Sequence, residues 1–264
     1  MTRSAMIRRV AQTIGAAMWL MLAASTGYAQ PSGQVWTNVT SDWLSTERLT
    51  YELDLEPKSQ VVSAPGQPLW MNLDVTPSVA YAATGWLDLI GELTTGYTDQ
   101  TDNHNTFEAT VRAGLQFHIL SRVIQPHLAG GRGADREKLP LRRAVVSTLL
   151  RVEQRNFVYG GTTPTESSWR FRDRVEFDYP LNRPKLTMDG AVYLSNDGEA
   201  FVPLASAADA GRVSQFRIRT GIGYRQSFAW RFEALYIWTG TRNADGSGFT
   251  VASHALDVRI KRMF

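Results

Sequence analysis

An antiparallel transmembrane β-barrel of about twelve strands, with ten as the fallback, following a cleaved leader, is the architecture this chain's pattern calls for. Three observations predict it. Apolar and polar residues alternate with period two along most of residues 34–264, and helical periodicity is weak. The polar face of that alternation is densely charged, as in Arg170, Arg172, Arg174, Glu176 and Asp178. The links between alternating segments are short and long by turns, as periplasmic turns and extracellular loops are. A soluble sandwich or lipocalin-like barrel shares the alternation but points its apolar face inward. So charged a second face, with strands of about 9–13 residues, suits a tilted membrane crossing better.

The leader comes first. Arg3, Arg8 and Arg9 precede the mostly apolar run 10–24, and Ser25-Thr26-Gly27-Tyr28-Ala29 puts small residues where a signal peptidase cuts. The expected division is a signal peptide over 1–29 and the barrel over 30–264, exported by the Sec-type route to the outer membrane of a Gram-negative bacterium. The whole chain of 264 residues carries a net charge of +3. The leader holds three bases and no acids, so the rest is neutral and offers no basic footprint for nucleic acid. The chain has no Cys, which excludes disulfides, thiolate metal sites, a Cys nucleophile and a lipoprotein anchor.

The alternating segments follow in order. The first is 34–44. In 48–56 the apolar set is Leu49, Tyr51, Leu53 and Leu55. Segment 71–81 has Met71, Leu73, Val75, Val79 and Tyr81, and 87–97 has Leu87, Leu89, Leu93 and Tyr97. Segment 107–118 sets Phe107, Val111, Leu115 and Phe117 against Glu108, Arg112 and His118. Next come 145–159, then 169–179 with Trp169, Phe171, Val175, Phe177 and Tyr179, then a weaker 188–202. The last three are 216–224, 230–238 (Trp230, Phe232, Ala234, Tyr236, Trp238) and 254–264 (Leu256, Val258, Ile260, Phe264). Links 82–86 and 225–229 are short, whereas 57–69, 98–106, 160–168, 203–214 and 239–252 are long. Two aromatic girdles result. Tyr81, Trp86, Phe117, Tyr179, Tyr224, Phe228 and Trp230 fall at one rim. Trp70, Tyr97, Phe107, Tyr159, Trp169 and Trp238 fall at the other. Three features fit poorly: link 119–144 is long where a short turn is expected, Asp173 falls on the apolar parity, and eleven segments is an odd count. Hence the expectation of twelve strands, one hidden within 119–144 or 188–204, or of ten if 34–44 is not a full crossing.

The C-terminal Phe264, ending an alternating strand, resembles the signal by which outer-membrane proteins are recognised by the barrel assembly machinery. The chain over roughly 34–264 also resembles the family catalogued as domain of unknown function 2490. The residues that carry this are Gln34-Val35-Trp36-Thr37-Asn38, Glu47-Arg48-Leu49-Thr50-Tyr51-Glu52-Leu53, Trp169-Arg170-Phe171-Arg172-Asp173-Arg174 with Val175-Glu176-Phe177, Pro180-Leu181-Asn182-Arg183-Pro184, and Arg231-Phe232-Glu233-Ala234-Leu235-Tyr236-Ile237-Trp238. The resemblance implies an outer-membrane barrel and supplies no activity.

A search for chemistry is less productive. Outer-membrane lipid hydrolases use a His two residues before Ser-Asn, but Ser195-Asn196 follows Tyr193. His118 and Ser121, and His254 and Ser253, lie on opposite faces of their strands. Asp99, Asp102 and His104 lack calcium-loop spacing. Gly221-x-Gly223 lies within a strand and is no phosphate loop. No catalytic residue, metal site or cofactor is expected. The lumen is the informative constellation. Parity points Glu52, Asp54, Glu56, Asp74, Asp88, Glu92 and Glu108 inward in the first half, with Arg48, Arg112 and His118. The second half contributes Arg151, Arg155, Arg170, Arg172, Arg174, Arg217, Arg219, Arg225, Arg231, Arg259 and Lys261, among Glu153, Glu176, Asp178, Glu233 and Asp257. Residues 30–120 hold 3 bases against 11 acids, and 121–264 hold 22 against 14. Either the walls interlock as Arg–carboxylate networks in a structural barrel, or water separates them in a narrow channel. The expected partners are outer-membrane lipids, the assembly machinery and a small charged solute. The alternative function is a lipid- or lipopolysaccharide-modifying enzyme.

Overall fold

The computed structural model describes residues 31–63, 66–101, 105–120, 144–160, 165–204, 213–243, 246 and 248–264. The leader with its cut after Ala29, and nearly all of 119–144, lie outside them. Eleven strands are found among the described residues: β1 (Ser32–Leu44), β2 (Leu49–Val62), β3 (Trp70–Ala82), β4 (Leu87–Gln100), β5 (Thr106–Leu120), β6 (Val145–Tyr159), β7 (Glu166–Pro180), β8 (Ala191–Pro203), β9 (Gln215–Arg225), β10 (Trp230–Arg242) and β11 (Phe249–Met263). Each pairs antiparallel with the next, and β1 pairs with β11 to close the barrel. The all-β barrel expected from alternation is what the chain forms.

The strand count corrects the expected twelve, and ten as well. Segment 34–44 is a full strand, and 188–202 supplies only β8. An odd up-and-down meander brings its first and last strands together running the same way. The β1–β11 seam is therefore parallel, from Ser32↔Ser253 to Asp42↔Met263, and the sheet is mixed rather than wholly antiparallel. The strands run 11 to 15 residues, longer than the alternation suggested. β2 absorbs residues 57–62 of what reads as a loop.

Parity holds along every strand. Outward go Leu93, Val111, Val152 and Ile222, all exposed. Inward go the charges, several of them buried: Asp42, Asp88, Arg151, Glu153, Arg172, Glu199, Arg219, Arg225 and Asp257. The barrel is thus apolar outside and charged inside. Some apolar side chains also turn inward: Leu235 and Ile237 on β10, Tyr193 and Phe201 on β8, and Trp36 on β1 are buried. They fill part of the lumen. Room for them comes from β9, where Gly221 and Gly223 point inward. A methyl group at Gly223 would overlap the Tyr193 ring, and one at Gly221 the β10 backbone.

The short-link rim carries stacked aromatic pairs, Trp86–Phe117 at 6.0 Å, Phe177–Tyr179 at 6.4 Å and Trp230–Phe232 at 6.1 Å. Phe264 stacks on Trp43 at 5.7 Å, with Arg262 4.4 Å from its ring. At the opposite rim Phe216 packs edge-on against Trp238 and Phe249, each at 4.9 Å. Trp70 departs from the expected girdle and lines the lumen instead. Asp173 does lie outside, where Thr148 Oγ1 donates to it at 2.9 Å across the β6–β7 pair.

Candidate functional site: the charged lumen

Twenty of the twenty-six titratable side chains that parity points inward, among them Glu52, Asp54, Glu92, Arg172 and Arg259, line one cavity of about 840 Å³. Neighbouring strands are about 4.8 Å apart and stagger around the barrel, so long side chains reach carboxylates one or two strands away. On β4–β8 this produces a closed ring of alternating charge. Arg151 Nη1 donates to Glu92 at 2.9 Å and its Nη2 to Glu199 at 3.3 Å. Arg172 Nε donates to Glu199 at 3.0 Å and its Nη1 to Glu153 at 2.6 Å. Arg112 completes the circuit, 3.0 Å from Glu153 and 3.4 Å from Glu92. The side chains of Glu153 and Glu199 are wholly buried.

Further guanidinium groups attach to these hubs. Arg170 reaches Glu153 at 2.5 Å, and Arg219 and Arg217 reach Glu199 at 3.1 and 3.4 Å. Arg219 also holds Asp197 at 2.5 Å. Arg155 clasps Glu108 through Nε and Nη2 at 2.8 and 3.0 Å. Arg174 pairs with Glu176, which also accepts from Ser147 at 3.0 Å. Arg259 pairs with Asp257 at 2.7 Å. Buried ions need such multiple partners, because desolvation of each costs several kcal/mol.

The β1–β3 wall has the opposite balance. Asp42, Glu52, Asp54, Glu56 and Asp74 face two ammonium groups. Lys58 lies 2.7 Å from Glu56 and 2.6 Å from Asp74, and Lys261 lies 2.9 Å from Glu52 and 3.2 Å from Asp42. Asp54 accepts from the Thr40 hydroxyl. Between the walls the Trp36 ring is held by Lys58 at 4.9 Å and Arg217 at 5.0 Å. Phe201 has Arg170 and Arg172 each at 4.8 Å. These cation–π contacts fix long side chains without neutralising them.

The two halves are thus not simply acid against base. Glu92 and Glu108, acids of the first half, are drawn into the arginine network, and the wall left acidic is β1–β3. The cavity is lined by residues of all eleven strands, from Thr50, Ala80 and Gln116 toward the short-link rim to Trp70, Gln100 and Gln215 at the other.

Several placements differ from the parity reading. Arg48 lies in the β1–β2 link and is exposed, not in the lumen. Arg225 is buried but does not line the cavity. Lys58 escaped the sequence reading because its segment reads as a loop. Asp197 and Glu199 escaped because Asn196-Asp197-Gly198 weakens the alternation of β8. The signal available was their shared parity with Tyr193 and Phe201. Of the histidines, His118 Nε2 lies 2.8 Å from Asp88, and His254 stacks on Tyr236 on the outer face and hydrogen-bonds it. His104 and His127 lie outside the described residues, as does Asp102.

Searches among curated proteins and among solved structures return no match. A family model described as "Protein of unknown function (DUF2490)" matches residues 33–250, and the chain belongs to that family.

Proposed function

We propose that this protein is an outer-membrane β-barrel whose half-open lumen is a narrow passage for small polar or charged solutes. The observation that carries the reading is the inversion of the barrel: an apolar exterior encloses a charged interior with a cavity of about 840 Å³. In water an exterior bearing Leu93, Val111, Met71 and Ile222 leaves apolar surface unsatisfied, whereas hydrocarbon accommodates it. A closed barrel leaves no unpaired edge in the bilayer. A thirteen-residue strand such as β3, tilted by about 40°, rises roughly 33 Å and clears an apolar band of about 25 Å. In this reading lipids contact the outer face, and the assembly machinery reads the C-terminal strand with Phe264. No chemical step is assigned to the lumen.

The test is fractionation followed by planar-bilayer recording of the refolded protein. Carbonate-resistant outer-membrane association, heat-modifiable migration and a small resolvable conductance are the expected results. Soluble recovery in the periplasm refutes the membrane reading. Silence in the bilayer leaves a structural barrel, and altered lipid A or phospholipid after expression leaves the modifying enzyme.

A further inference from the structure

Resting on the passage just proposed, a finer feature of the same cavity selects its solute. Nearly every charge lining the cavity is held by an opposite charge within 4 Å. Among the described residues, Arg231 is the one lining cation with no ion pair, and its Nε has no hydrogen-bond partner. Asp42, Asp178 and Glu233 lie within electrostatic range of it, yet none closes to ion-pair distance. Glu233 is occupied by the Tyr193 hydroxyl at 2.5 Å and by Arg259. Across β9–β10 the residue in register with Arg231 is Arg225, a like charge.

On the acidic wall Asp54 is the counterpart. Its carboxylate accepts from Thr40 and has no cation within ion-pair distance among the described residues. Asp178 on β7 also lines the cavity with no cation at ion-pair distance among the described residues, but it lies in range of Arg231 itself and of Glu233. Arg231 and Asp54 share one row of the sheet. Arg231 is in register with Lys261, Lys261 with Thr40, and Thr40 with Asp54. Three strand steps separate them, about 14 Å along the wall. Lys261, between them, is committed to Glu52 and Asp42.

We infer that Arg231 and Asp54 are the receiving pair for a small zwitterion, its carboxylate end toward Arg231 and its ammonium end toward Asp54. A small zwitterion passing along this row is oriented by both groups, while a net-charged solute meets repulsion at one of them. Preorganised, half-buried charges lose little by reorganising and discriminate by sign.

The experiment is proteoliposome swelling with alanine and its uncharged isomer lactamide, so that size is constant. Alanine is expected to enter about tenfold faster than lactamide through the native protein. Asp54→Asn and Arg231→Gln are each expected to bring alanine down to the lactamide rate and to leave lactamide unchanged. Equal entry of the two solutes through the native protein, or a preference that survives both variants, overturns the inference and leaves the passage intact. Entry of neither solute, with no conductance, refutes the passage itself. Should Arg231→Gln lose heat-modifiable migration, Asp54→Asn decides the matter, since it breaks no ion pair.

Discussion

Glu199 gathers four guanidinium groups, those of Arg151, Arg172, Arg217 and Arg219, on one buried carboxylate. Removing its charge leaves Arg217 without an ion pair and takes one partner each from Arg151, Arg172 and Arg219, which keep Glu92, Glu153 and Asp197. Glu199→Gln is expected to destabilise the barrel by about 3–5 kcal/mol, read from urea unfolding in liposomes. Adding Arg172→Met should recover part of that loss, because a cation then leaves with its partner; strict additivity of the two changes would show that the ring is not a unit. Gly223 makes a steric argument at the same scale. Its missing side chain is where the Tyr193 ring lies. Gly223→Ala should impair assembly, and Tyr193→Ala should rescue it, measured as the heat-modifiable fraction. Neither partnership can be read from the linear chain. Gly223 and Tyr193 are thirty residues apart, and Glu199 meets Arg151 only because β6 and β8 flank β7.

Alternation made the strands legible, because side chains change face at every residue whatever the tertiary context. The ends of strands were less so. β2 continues through Pro57-Lys58-Ser59-Gln60, polar residues that read as loop, because pairing with β1 and β3 extends over them. β10 shows a second limit. Its outward face of Trp230, Phe232, Ala234, Tyr236 and Trp238 was legible, but its inward Leu235 and Ile237 break the rule of a polar lumen. Both are buried, and Ile237 forms a cluster with Trp36 on β1 and Ala255 on β11. A mid-strand outward residue reports the surroundings of the barrel. Leu93→Arg on β4 is expected to cost about 2–4 kcal/mol in bilayers. An unchanged unfolding midpoint in liposomes would place that face in water rather than lipid.

The parallel seam is a property of the closed barrel. It follows from the odd number of strands, and Phe264 sits beside it: its amide donates to the Asp42 carbonyl at 2.9 Å and its ring stacks on Trp43 of β1. Deletion of Phe264 is expected to slow folding into vesicles and to lower the outer-membrane yield, with little change in the spectrum of protein that does fold. The division of charge is also global. The excess of acid in residues 30–120 and of base in 121–264 meets across the lumen only when the ends of the chain are brought together, with β1–β3 left as the acidic wall. An N-terminus at Gln30, read by mass spectrometry of the protein from cells, is the expected mark of export.

By itself the chain determined that its strands alternate, which face of each is apolar, and most of the charges that share the inside, since all three follow from a period of two residues. Closure, the count of eleven and the choice of ion-pair partners were decided only in three dimensions. Those depend on register and stagger accumulated around the whole sheet. No local pattern carries that sum, so Glu92 and Glu108 side with the arginines while Asp54 and Arg231 remain unbridged.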